Sequence, residues 1–138
     1  MKESRWDECI TSGSSLPVSP DIAKSRSLID TAKGRIDFLK LNKIETSNAN
    51  YIFEGYYSSA LEMLHAFVIK KGYKVSNHIC LGYYLRDVMK REDLYRIFDN
   101  CRYKRNSLVY YGRKMPLETA KETIRKCISF IDALEDII

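Results

Sequence analysis

The chain has 138 residues, the length of one domain, and at this size roughly two-thirds of the unfolded surface can be buried. It is 45% hydrophobic and 30% charged with few glycines and prolines, which excludes a low-complexity or collagen-like chain, and no apolar run approaches the ~20 residues that span a bilayer. The opening MKESRWDECITSGSS has no apolar leader core, so a cytoplasmic protein with no membrane partner is expected, and the net charge of +5 raises the question of where the excess lies.

Residues 1–19 are Ser-rich and aperiodic and end in LPVSP, which predicts a flexible or loosely docked arm, with Trp6 and Ile10 available to pin it. A helical pattern begins at Asp21 and runs for about 25 residues, with Ile22, Ile29, Ala32, Ile36, Leu39 and Lys43 in its stripe. ETSNAN breaks it, and Ser47 or Asn48 is the expected cap of the next helix, from about Ala49 to Lys71. Its stripe is Ile52, Tyr56, Ser59, Ala60, Met63 and Phe67, and Gly72 stands where a C-terminal glycine ends a helix. A short third helix starts near His78 with Leu81, Leu85 and Val88 inward. The fourth runs from about Glu92 to Tyr111. The fifth follows Pro116 with Leu117, Ala120, Ile124, Cys127, Ile131, Leu134 and Ile138 at alternating three- and four-residue steps, the spacing of antiparallel bundle packing. These patterns predict an all-α fold over 20–138: an up-and-down antiparallel helical bundle of four long helices plus a shorter inserted helix.

The four cysteines, Cys9, Cys80, Cys101 and Cys127, form no CxxC and have no histidine at ligand spacing, so neither a metal nor another cofactor is expected. In a reducing compartment Cys101 and Cys127 read as small core residues. Ten tyrosines suit either base stacking or bundle packing, and Tyr56, Tyr83 and Tyr84 read as packing residues.

The charge is localised. Residues 86–114 hold nine Lys/Arg against four Asp/Glu, while the rest of the chain holds fourteen of each, so the whole excess lies in one-fifth of the sequence. A solvated helix face and a footprint for a polyanion both account for it. Within this segment the fourth helix carries an apolar ladder of Leu94, Phe98, Cys101 and Leu108, and Arg105 occupies the rung between the last two. A guanidinium left there without partners would cost several kcal/mol. Three arrangements avoid that cost: a buried pair with Glu54 or Glu62, snorkelling at a helix edge, or a place on the floor of an anion-binding groove. In the last case Arg102, Lys104, Arg113 and Lys114 form the rim. His78 reads as a turn residue opening the third helix, with a place in the cleft as the alternative, and His65 as a partly buried structural histidine.

RNSLVYYG at 105–112, late in the fourth helix of such a bundle, resembles the RxxxxH segment of HEPN domains. YYSSALEMLHAFVIKKGYKVSNH at 56–78 is similar to the family's second helix, its glycine turn and the histidine that opens the next helix. The resemblance implies a HEPN-like homodimer in which two such motifs meet in one cleft. It implies an arginine, here Arg105, that binds the scissile phosphate of RNA, and a histidine that moves protons in metal-independent cleavage. It further implies a toxin–antitoxin or defence setting with a minimal nucleotidyltransferase antitoxin as partner, or a non-catalytic relative that binds RNA or a nucleotide. Arg105 and Asn106 match the motif, whereas the histidine slot holds Tyr110, Tyr111 follows, and Gly112 stands where the trailing tyrosine falls. A phenol of pKa near 10 is a poor base at neutral pH but can donate a hydrogen bond or stack on a base. The resemblance therefore predicts Arg105, Asn106 and Tyr110 as a degenerate catalytic set, and Arg102, Lys104, Arg105, Tyr111, Arg113 and Lys114 as the RNA-binding set. Tyr110 or Tyr111 would be the target if the partner enzyme modifies the motif tyrosine.

Overall fold

The computed structural model describes residues 5–138, and residues 1–4 of the expected arm lie outside it. The chain runs through α1 (Trp6–Thr11), β1 (Ser15–Pro17), α2 (Ile22–Lys40), α3 (Ala49–Lys70), β2 (Tyr73–Val75), α4 (His78–Tyr83), α5 (Glu92–Tyr111) and α6 (Leu117–Ile137), with a π-helical turn at Tyr84–Val88 extending α4. The described protein is predominantly helical, as the periodicities predict, with one two-stranded antiparallel ribbon added.

Asp21 caps α2, its carboxylate accepting from the backbone N–H of Lys24 at 2.9 Å. The helix is 19 residues long, shorter than the pattern predicts, and the stripe shifts at both ends. Ile22 is exposed, while Ser25 is buried and donates its hydroxyl to the Ala66 carbonyl at 2.8 Å. At the other end the Asn48 side chain accepts from Glu45 N–H and donates to the Lys43 carbonyl, closing a loop that takes Lys43 off the helix. Asn48 thus organises the loop before α3 and makes no side-chain cap bond to the helix itself.

α3 is the central helix. Its contacts with α2 pair Ser25 with Ala66, Arg35 with Ser59 and Leu39 with Gly55, so the two run antiparallel. At Gly55 an added Cβ would lie 2.8 Å from Leu39 Cδ2, so the close approach depends on the missing side chain. The expected stripe of Ile52, Tyr56, Ser59, Ala60, Met63 and Phe67 is buried, and so are Phe53, Tyr57, Leu64 and Val68 on the other side. A helix buried on so wide an arc is packed from several sides: α2, α6, β2 and α5 all lie against it, while Glu54, Ser58, Glu62 and His65 stay partly exposed. Cys101 lies against Cys127 and Phe98 against Phe130, which makes α5 and α6 antiparallel. Val88 departs from its expected inward position and is exposed, because the π turn rotates it off the face that Leu81 and Leu85 bury.

The N-terminal segment corrects the expectation of a loose arm over its described part. Trp6 is buried edge-on against Tyr73 (5.3 Å) and Tyr84 (5.1 Å), and its backbone N–H donates to Asp87 Oδ2 at 2.9 Å. Cys9 is disulfide-bonded to Cys80, and β1 pairs with β2 in the register Ser15↔Val75. The Ser76 N–H and hydroxyl both donate to the Ser14 carbonyl. Each of these partners lies 60 or more residues away, so no local pattern announced them. The disulfide was not expected from the sequence, where only Cys101 and Cys127 were assigned, as small core residues. Only Cys101 and Cys127 are free, both buried, with their sulfurs 3.5 Å apart.

Candidate anion-binding groove

Two elements converge to make the site. α5 brings Arg102, Arg105, Asn106 and Tyr110 to one wall of an open groove of about 270 Å³. The opposite wall is the start of α4, with Ser76, Asn77, His78 and Ile79. This wall is held rigidly. The Asn77 side chain caps α4 by accepting from Cys80 N–H at 2.8 Å, Ser76 is tied to Ser14, and Cys80 is bonded to Cys9. The N-terminal segment therefore acts as a brace for the residues that face α5.

Arg105 is half-buried and makes no ion pair among the described residues. Its one polar contact is a long one, Nη1 to Asn106 Oδ1 at 3.4 Å. The guanidinium carbon lies 5.9 Å from the centre of the Tyr57 ring and 5.8 Å from that of Tyr110, cation–π distances that place charge without neutralising it. The buried pair with Glu54 or Glu62 is not formed. Glu62 instead pairs with Arg35 of α2, which lies across the α2–α3 interface and reaches it first. Arg102 is anchored by Asp99, its Nε and Nη2 both bonding Oδ1 at 3.0 and 2.9 Å.

His78 meets Arg105 across the groove. Its Nδ1 lies 2.9 Å from the hydroxyl of Tyr57, a core residue of α3. Burial lowers the His78 pKa, and the positive charges of Arg105 and Arg102 lower it further. Burial drives the Tyr57 hydroxyl upward, beyond the ordinary phenol range, and this outweighs the opposing pull of the two arginines. His65, also on α3, is lowered by burial first and then by His78 and Lys24; it lines a separate apolar hollow with Lys24, Leu28 and Tyr73.

The structure thus brings together Arg102, Arg105, Asn106 and Tyr110 of the expected set and adds His78 and Asn77. It sets Lys104, Tyr111, Arg113 and Lys114 apart from the groove lining. Arg113 lies over Tyr111 at 5.8 Å, and Lys114 over Tyr51 of α3 at 5.7 Å, forming a basic aromatic end beyond the groove. Tyr57 lies outside the stripe read for this helix, and its hydroxyl contact with His78 spans 21 residues.

A larger hollow, about 590 Å³, lies beside Trp6, and among the described residues its lining charges balance. Arg5, Arg86 and Lys90 face Asp7, Asp87 and Glu92 there, and Arg86 is paired with Asp87 and stacked on Tyr83 and Tyr95. Of these two, the Arg105 groove is the one lined by arginines and no carboxylate. Among the described residues no cluster of His, Cys, Asp and Glu has the composition of a metal site, and no helix is long and apolar enough to cross a membrane. No protein-family model, curated protein or solved structure matches the chain.

Proposed function

We propose that the protein is a HEPN-like RNA- or nucleotide-binding protein whose groove holds a phosphate on Arg105, with weak or absent cleavage. The observation that carries this reading is Arg105 itself, half-buried between two aromatic rings with no carboxylate to neutralise it. A half-buried guanidinium held this way without a carboxylate is suited to bind an anion, and its planar fork matches two phosphate oxygens. Arg102, held by Asp99, adds further N–H donors, Asn77 and Asn106 add polar groups, and the exposed Tyr110 ring offers a stacking face for a base. The groove is slightly smaller than the ~300 Å³ at which pockets for whole small molecules begin, so it suits one phosphate with the rest of the ligand outside. The homodimer, the defence or toxin–antitoxin setting and the nucleotidyltransferase partner belong to the same proposal and rest on the resemblance of 56–78 and 105–112.

The deciding experiment is binding of labelled single-stranded RNA and of mononucleotides to the wild type and to Arg105→Ala. A loss of at least tenfold with Arg105→Ala is expected; equal affinity at low salt would remove the groove from the account. A second reading, a working metal-independent endoribonuclease, is favoured by His78 facing the same groove as Arg105. Incubation with RNA in EDTA tests it beside Arg105→Ala and Tyr110→His. Cleavage by the wild type that Arg105→Ala abolishes would establish the nuclease, and cleavage by Tyr110→His alone would identify the missing histidine as the sole defect.

A further inference from the structure

His78 faces the groove with one ring nitrogen already engaged. Tyr57 is buried among Phe53 and Phe98, stacked on the latter at 15°, with a relative exposure of 1%. Its hydroxyl keeps its proton at neutral pH, because a phenolate there would be desolvated. That proton needs an acceptor, and the hydrogen-bonding atom at hand is His78 Nδ1, 2.9 Å away. Arg105, on the face of the same ring, can only donate. If Tyr57 donates, Nδ1 must be the bare nitrogen, and the single proton of a neutral imidazole then sits on Nε2.

The other two forms of the ring conflict with this environment. The Nδ1–H tautomer makes the Tyr57 oxygen the acceptor and leaves the proton of this buried hydroxyl without an acceptor. The imidazolium carries the same Nδ1 proton and adds a charge beside Arg102 and Arg105. The charged and titratable groups around His78 are Tyr57 and His65 from α3 and Arg102, Arg105 and Tyr110 from α5. Among the described residues no carboxylate adds to its charge environment to favour the cation.

We propose that Tyr57 is a positioning residue that locks His78 in the neutral Nε2–H form, making it a hydrogen-bond donor to the bound phosphate and withholding it as a proton acceptor. Abstraction of a 2′-hydroxyl proton needs a lone pair on the nitrogen facing the substrate, and the locked ring has its lone pair turned to Tyr57. The consequence for the ligand rests on the phosphate-binding reading above; the lock itself does not.

Long-range proton–nitrogen NMR of the imidazoles in the 15N-labelled full chain reads the tautomer directly, with His65→Gln used for assignment. At neutral pH the wild type is expected to show a protonated Nε2 and a bare Nδ1 for His78, with a titration midpoint below that of an ordinary histidine. Tyr57→Phe keeps the ring and removes the hydroxyl, so it should raise that midpoint and admit the second tautomer. A predominant Nδ1–H form in the wild type overturns the lock, whether or not Tyr57→Phe folds, and so does a Tyr57→Phe spectrum identical to the wild type. Affinity for a fluorescein-labelled oligouridylate then separates the two claims. His78→Ala should bind about tenfold more weakly, and His78→Gln, which restores an N–H donor, should recover most of that loss. A wild type that shows the Nε2–H form yet binds neither RNA nor nucleotide upholds the lock and overturns the binding reading.

Discussion

Asn50 shows how much a single polar side chain can organise. It is buried at the start of α3, donates from Nδ2 to the Met115 carbonyl at 3.0 Å and accepts from the Met115 N–H at 2.8 Å. These two bonds stitch the α5–α6 connection, and hence the end of α5 that carries Tyr110, to the central helix. Asn50→Ala should cost about 2–4 kcal/mol, since two backbone groups would be left buried and unpaired; urea titration of the variant measures it, and a change under 1 kcal/mol would show that water replaces the amide. The histidines set a pH dependence at the same scale. Both have folded-state pKa values below the ordinary 6.5, so the unfolded chain binds more protons than the folded one below that value. Stability is therefore fully present above pH 6.5 and is lost as pH falls through 6.5 toward the depressed values. Chemical denaturation between pH 7.5 and 5 should show this decline. His65→Gln should reduce it, because its cause is chiefly burial of the ring.

At the scale of the element, helix ends and crossings decide geometry. α5 stops at Gly112 in a left-handed conformation (φ 63°), with Gly112 and Arg113 N–H returning to the Leu108 and Ser107 carbonyls. No neighbour crowds this glycine, so Gly112→Ala tests conformation alone and should cost about 1 kcal/mol by thermal melting. Gly55→Ala tests space instead. Its methyl would fall within contact distance of Leu39, forcing α2 away from α3 or Leu39 into another rotamer, at about 1–3 kcal/mol. The α6 stripe was legible as a whole because one helix face meets one core. The α3 pattern was only half legible, since its second apolar side, with Tyr57 in it, shows only once α5 and α6 are seen to cover it.

For the whole molecule, charge and covalent closure matter most. Within 86–114 all four acidic residues are taken up by arginines: Asp87 by Arg86, Glu92 by Arg96, Asp93 by Arg91 and Asp99 by Arg102. Lys90, Lys104, Arg105, Arg113 and Lys114 make no ion pair among the described residues, and their number equals the net charge. If about four of these cations meet phosphates, the logarithm of RNA affinity should fall against the logarithm of salt concentration with a slope of about −3. A slope near zero would mean that binding, where seen, is not to the backbone. The Cys9–Cys80 bond closes a loop of 71 residues and clamps the brace behind α4. By loop-closure entropy its removal should cost about 4 kcal/mol. Cys9→Ser melted beside the wild type under non-reducing conditions measures this cost; a variant as stable as the wild type would show that the bond contributes nothing to stability. Such bonds persist in oxidising surroundings and in some hyperthermophile cytosols, which makes the redox state of the purified chain informative about where it works.

The sequence by itself determined the long helices α3, α5 and α6 and the placing of charge. Hydrophobic periodicity is local, so Glu92–Tyr111 and Leu117–Ile137 could be read within a residue, and the position of Arg105 on an apolar rung already marked it as unusual. Only the tertiary structure decided what Arg105 faces. Glu62 was equally plausible as its partner on paper, but α2 supplies Arg35 to that carboxylate, which leaves Arg105 to His78 and Tyr57. The docking of Trp6, the Cys9–Cys80 bond and the Tyr57–His78 contact are likewise joined across 21 to 81 residues. Such contacts leave no periodic trace, because their energy comes from packing that exists only when the chain is folded.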